Sequence, residues 1–209
     1  MHSVRYSTTK REFNECVLAG DVVKLADMLG SATAGCTPSA EDIEVIEKCK
    51  EEIATQQEDN ELYIKGYVLQ CINQYNKVSD RVAIFTDAAL YHIKTAGGAV
   101  KRSKRFPFED VAYVHYGSFH RERDHYGVKV VMAEDKPHGD RAKLYLVPTE
   151  VEDGHSMAEE IAQVLNCLLR AAKGAEGLGL VNQNTLTRPG RAGGIQRVVS
   201  DTVKGRLGN

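Results

Sequence analysis

Apolar residues recur at helical spacing near both ends of this chain and at alternate positions between them. Thr9-Lys-Arg-Glu12 has the spacing of a capping box, and Phe13, Cys16, Val17, Val23, Ala26 and Leu29 follow on one helical face until Gly30. After the loop "SATAGCTP", Pro38-Ser39 opens a second helix with Ile43, Ile46, Cys49 and Ile53 as a narrow apolar stripe. The spacing therefore predicts helices over 9–29 and 39–59, and a stripe this narrow predicts that the second lies on a surface. After Asn60 the period falls to two. "ELYIKGYVLQCI", then the halves of "RVAIFTDAALYHIK", then segments 100–106, 111–116, 127–132 and 143–147 read as seven short strands separated by turns. From Ser156 to Ala172, Met157, Ile161, Val164, Leu165, Leu168 and Leu169 restore the helical stripe, with Glu159 and Glu160 early and Arg170 and Lys173 late, as the helix dipole prefers.

The fold class this predicts is α+β. A seven-stranded antiparallel meander curls into a sandwich or partly open barrel, a C-terminal helix caps its open end, and two N-terminal helices precede it. The expected organisation is an N-terminal helical extension over 1–60, a β-rich domain over 61–174 and a flexible tail over 175–209. The tail is polar and glycine-rich, and its last piece carries Ile195, Val198, Val199 and Val203 at the spacing of a short docking helix.

One stretch resists the alternating pattern. In "VKRSKRFPFEDV", Lys101, Ser103 and Arg105 would point one way from a strand, and Val100, Arg102, Lys104 and Phe106 the other. A strand buried on both faces cannot carry cations on both, so this one must lie on an edge or project past the core. Two readings follow: lysines that deter pairing with other chains, or an electrostatic patch for an anionic surface, helped by Lys77, Arg81 and Lys94.

Charge sharpens the second reading. The chain has 209 residues, 42% apolar and 27% charged, with a net charge of −2. That total hides an acidic front, 6 Lys/Arg against 13 Asp/Glu in residues 1–62, and a basic middle, 14 against 9 in residues 63–149. Such asymmetry suits self-association or an anionic partner for the middle. No apolar run approaches the roughly 20 residues of a membrane span. The N-terminus resembles neither a signal peptide nor a myristoylation site, so any membrane contact is expected to be peripheral.

Catalytic chemistry finds little footing. Cys16, Cys36, Cys49, Cys71 and Cys167 form no CxxC pair, and most fall on apolar faces, which suits free thiols in a reducing cytoplasm. Six of seven histidines lie between His92 and His155, but the spacing of His120, Asp124 and His125 fits a solvated hairpin tip better than a zinc site. No phosphate-binding glycine loop or nucleophile elbow is present, and "RPGRAGG" lacks the aromatics of a nucleic-acid binder. The expectation is no enzyme, metal, cofactor, nucleic acid or small-molecule substrate.

"DRVAIFTDAALYHIK" followed by "RFPFEDVAYVHYG" resembles the Thr-Asp, Leu-Tyr hairpin and the following strand of pleckstrin-homology (PH-like) domains. Related features occur in the class I myosin tail domain and in GRAM-type domains. "YVLQCINQYNKVSDRVAIFTD" is most similar to the non-catalytic dimerisation domain of Sac-type inositol phosphatases. The resemblance spans about residues 61–174. It implies binding of phosphoinositides or proteins, often with self-association. It also implies a basic cluster at the first loop, where Lys65, Lys77 and Arg81 stand, although Ala83 occupies the position where a second strand cation is typical. The site expected is thus Lys65, Lys77, Arg81, Lys101, Arg102, Lys104 and Arg105. The alternative is a protein-interaction or homodimerisation module that uses the N-terminal helices and has no lipid ligand.

Overall fold

A computed structural model describes residues 2–30, 36, 38–55, 61–73, 75–97, 99–120, 122–134, 143–149 and 154–189. Three helices, α1 (His2–Ala19), α2 (Val22–Gly30) and α3 (Ala40–Ala54), precede seven strands. These are β1 (Tyr63–Ile72), β2 (Val78–Thr86), β3 (Ala89–Ala96), β4 (Ala99–Pro107), β5 (Val111–Phe119), β6 (Glu122–Met132) and β7 (Lys143–Val147). Helix α4 (Gly154–Lys173) and a last short strand, β8 (Val181–Gln183), follow. The sheet order is β4-β3-β2-β1-β7-β6-β5-β8. All neighbours are antiparallel except β8, which runs parallel to β5.

The concave face of this sheet holds the main core. Tyr67, Leu69, Phe85, Leu90, Phe106, Val114, Val128 and Leu146 meet Ile161, Leu165 and Leu168 of α4 and Leu25 of α2. Residues of one strand face recur every second position and those of α4 every third or fourth, so the stripe read from sequence becomes the plug of the curled sheet. Lys173 and Arg170 sit in the last turn of α4, as the dipole prefers.

A second, separate cluster lies on the opposite face of the first strands. Ile46, Cys49 and Ile53 of α3 pack on Val82, Ile84, Ala89, Tyr91 and Ile93. Ser39 caps α3, accepting from the Asp42 amide at 3.1 Å. The helix approaches closely because β1 has a glycine beneath it: a Cβ on Gly66 would sit 2.6 Å from Ile46 Cγ2. The narrow stripe of α3 is thus explained by a helix lying on a sheet exterior, with the rest of its surface facing solvent.

Three expectations are corrected. The first predicted helix begins at His2 rather than at Thr9, and it breaks at Gly20 into α1 and α2. Asp21 then caps α2, its carboxylate accepting from the Lys24 amide at 3.1 Å. The sheet is not purely antiparallel, because β8 adds to β5 in parallel. Residues 175–189, expected to be flexible, instead continue the fold as a short 3-10 turn (Gly174–Gly177), β8 and a bridge from Leu186 to Phe119. Polar composition concealed this because Leu186 is the one apolar side chain of residues 175–189 that is fully buried. The predicted docking helix around Ile195 lies outside the described residues. Among the described helices none is long and apolar enough to cross a membrane.

Candidate anion-binding face

Strand β4 stands at one end of the sheet, so it is an edge, which resolves how cations can occupy both its faces. Lys101 and Arg102 are exposed, and Lys104 is half-buried with its Nζ 4.9 Å from the centroid of the Phe106 ring. Antiparallel register sets Arg102 directly opposite Lys94 and Lys104 directly opposite His92 on β3. Like charges directly opposite each other destabilise a ladder. Among the described residues no carboxylate pairs with Lys94, Lys101 or Arg102.

His92 joins this row to a cavity of about 290 Å³ beside it. The cavity opens beyond the last pair of β1 and β7, Ile72 with Tyr145. Its apolar lining comes from Cys71, Ile72, Leu144 and Tyr145, and its cations are Arg81 and Lys143. Asn73 and Tyr75 of the β1–β2 connection and Ser79 at the start of β2 add polar groups. That connection is tightly built. The Asn73 carboxamide oxygen accepts from the amides of Tyr75 and Lys77, both at 2.9 Å, and Asn76 takes a left-handed conformation with φ 58°. Lys77 is left exposed at its end. Arg81 donates to the Asp80 carbonyl at 2.6 Å.

Two of the seven residues singled out from sequence are engaged elsewhere. Lys65 is a correction: it points into the protein, with a side chain 9% exposed, and its Nζ lies 2.8 Å from Glu160 Oε1 on α4 and 3.0 Å from the Cys36 carbonyl. Tyr67 also donates to Glu160, at 2.8 Å, and burial followed by that carboxylate pushes its phenol well above the usual range. An anionic surface cannot reach a lysine held in this way. Lys65 occupies the strand position the resemblance specified, but α4 delivers a carboxylate over it, which no local pattern reveals. Arg105 is pinned by Glu61, whose Oε1 accepts from Nε at 2.9 Å and lies 2.9 Å from Nη2, while Tyr91 donates to the same oxygen at 3.2 Å. The structure brings Arg81, Lys104, Arg102 and Lys101 to one end of the sheet. Reading the sequence missed Lys143 and His92, which enter only because β7 closes against β1 and β3 lies beside β4.

The buried thiols are poor nucleophiles. Burial pushes Cys71 and Cys167 up to about 12 and Cys49 up to about 11, far from the thiolate that a catalytic cysteine requires. Among the described residues no group of His, Cys, Asp or Glu could hold a metal ion.

A family model described as "hSac2: Inositol phosphatase" matches residues 39–129, from the cap of α3 into β6. Among solved structures, the hSac2 domain from human phosphoinositide phosphatase Sac2 is similar at 14% identity and a TM-score of 0.49, over 74% of this chain and 95% of that one. The Vps36 N-terminal PH domain is similar at 15% identity and a TM-score of 0.41, over 55% of this chain and 83% of that one. A complex of PDZ-RhoGEF DH/PH domains with RhoA gives 14% identity and a TM-score of 0.40, over 58% of this chain and 33% of that one. No curated protein matches the chain. The match over residues 39–129 likens α3, β1 to β5 and the start of β6 to the hSac2 family model.

Proposed function

We propose that this chain is a non-enzymatic binding module that makes peripheral contact with anionic phospholipid, phosphoinositide included, through the end of the sheet where β4 and the β1–β2 connection meet. The residues assigned are Lys77, Arg81, Lys101, Arg102 and Lys104, extended by Lys94 and Lys143. The observation that carries the reading is the Lys94–Arg102 pair, two like charges set opposite each other across β3 and the edge strand β4, with no carboxylate paired to either among the described residues. Ladder stability alone disfavours that arrangement, and an anion between the two would relieve it. The neighbouring cavity, with Arg81 and Lys143 on its wall, offers room for a phosphorylated headgroup. The family description, inositol phosphatase, points to the same ligand chemistry. Free, mostly buried thiols fit a cytoplasmic setting.

Vesicle co-sedimentation tests this. Binding should rise with the fraction of phosphatidylserine or phosphoinositide and fall as salt shortens the screening length. Each cation near such a surface contributes about 1 kcal/mol. Changing Lys101, Arg102 and Lys104 together to Ala should therefore weaken binding more than a hundredfold. Arg105→Ala, which removes a residue already committed to Glu61, should weaken it far less. Pelleting that ignores lipid charge, salt and the triple substitution would overturn the proposal.

A second reading has its own observation. Leu18 on α1 and Val23 on α2 are apolar yet 62% and 64% exposed. Self-association through these helices would cover them. Light scattering should then give a mass above one chain for the intact protein and a monomer mass after Leu18→Glu and Val23→Glu.

A further inference from the structure

The open side of β5 is filled by the chain's own C-terminal segment in the manner of a bound peptide. The Val114 amide donates to the Leu180 carbonyl, Asn184 to Tyr116, Leu186 to Ser118, and His120 to Leu186, each at 2.8 Å. Side chains secure both flanks of this ladder. Leu186 is 2% exposed, packed with Ile72, Phe119, Tyr145 and Val147. Two residues on, Arg188 reaches Glu122 at 2.6 Å, and its guanidinium lies 5.3 Å from the Phe119 ring centroid. Between Val181 and Leu186, Asn182, Gln183, Asn184 and Thr185 are exposed.

The receiving strand is shaped for this approach. Gly117 has φ 151°, a backbone that side-chain-bearing residues rarely adopt, and a Cβ there would lie 2.3 Å from the Asn184 carbonyl oxygen. Main-chain pairing, one aliphatic pocket and one clasped arginine are the components of recognition by strand addition, in which the ladder supplies affinity and alternate side chains supply selectivity. The cis segment supplies a three-residue strand, four main-chain hydrogen bonds, one fully buried aliphatic side chain, the partly buried Leu180 and Val181, and one ion pair. A terminal strand paired on one side only belongs to the class of elements that open locally before a domain unfolds.

We propose that the β5 edge is a peptide-docking site, that residues 180–188 are its cis occupant, and that a partner presenting an extended segment with a leucine two positions before an arginine binds there by displacing them. The Leu186 pocket shares Ile72 and Tyr145 with the wall of the cationic cavity but uses none of its cations, so the peptide test does not depend on the lipid proposal.

The test uses a fluorescent peptide of residues 178–189 and anisotropy titrations on the full chain. Leu186→Asp with Arg188→Glu weakens the cis occupant and leaves the β5 edge intact. That variant should bind the peptide at least tenfold tighter than the wild type. A peptide carrying the same two changes should not bind, and Glu122→Arg added to the variant should reduce binding of the original peptide. Equal affinity for both peptides, or a folded variant no tighter than wild type, would overturn the proposal. Hydrogen exchange on the unmodified chain gives a second measurement that does not depend on the variant folding. The Val114 and His120 amides, whose acceptors lie in the segment, should exchange at least tenfold faster than the Ile84 amide in β2. Equal protection at all three would mean that the segment never leaves, and the idea would fail.

Discussion

Changing Lys65 to Met tests the largest departure from the sequence reading, because it separates a structural lysine from a ligand-binding one. The Lys65–Glu160 pair is 2.8 Å apart with side chains 9% and 8% exposed. At an effective dielectric of about 20, the attraction over that distance is roughly 6 kcal/mol, and it works against the cost of stripping water from both charges. Removing one partner leaves the other buried and uncompensated, which costs about 3–5 kcal/mol. For a chain of this length that corresponds to a fall in Tm of roughly 6–20 °C. Glu160→Gln should also destabilise by stranding the Lys65 cation. With Lys65→Met and Glu160→Gln together, no charge is stranded, and the carboxamide oxygen can still accept from Tyr67. The double variant should therefore lose at least about 1.5 kcal/mol less than the sum of the single losses. Urea unfolding at pH 7, followed by circular dichroism, measures all three. Additivity within about 0.5 kcal/mol would refute the coupling, and a Lys65→Met chain of wild-type stability but impaired vesicle binding would restore Lys65 to the site.

Two further outcomes follow from burial. His115 is held below its ordinary value, first by burial and then by Lys129 across the ladder. The folded state thus prefers the neutral ring, and the unfolded chain takes up the proton first as pH falls through about 6.5. Its contribution to stability is present above that value and declines as pH drops through the window down to the folded pKa. An NMR titration should place the His115 midpoint below 6.5 and move it upward in Lys129→Met; a midpoint above 6.5 would contradict the assignment. Among the thiols, Cys36 is partly exposed while Cys71 and Cys167 are buried and pushed up to about 12. Brief iodoacetamide treatment of the native chain at pH 8 should label Cys36 well ahead of those two, as read by peptide mass spectrometry, and equal labelling would show that the core opens more readily than its packing implies.

Periodicity carried most of the fold. Strand and helix alternate with periods of two and about 3.6, and a half-buried element must obey its own period, so β1 to β7 and α4 were visible in Leu69, Phe85, Val128 and Leu165 without any tertiary information. The edge position of β4 was legible for a related reason: cations on both faces of one strand leave it nowhere else to go. The break at Gly20 was not legible, because Phe13 to Leu29 keep a helical spacing across it and only packing against α4 and β1 requires the turn.

The chemistry of the site divides along the same line. What the chain determined alone is which residues are charged and which strand face each occupies, since both follow from residue type and a local period. Which cations remain available depended on contacts between residues far apart in sequence: Glu160 reaching Lys65 from 95 positions away, Glu61 reaching Arg105 from 44, and Lys143 arriving beside Arg81 through the closure of β7 on β1. The same holds for residues 180–188. Their composition resembles that of an unstructured tail, because backbone hydrogen bonds to a neighbouring strand need no particular side chain and leave no trace in a pattern of apolar and polar positions.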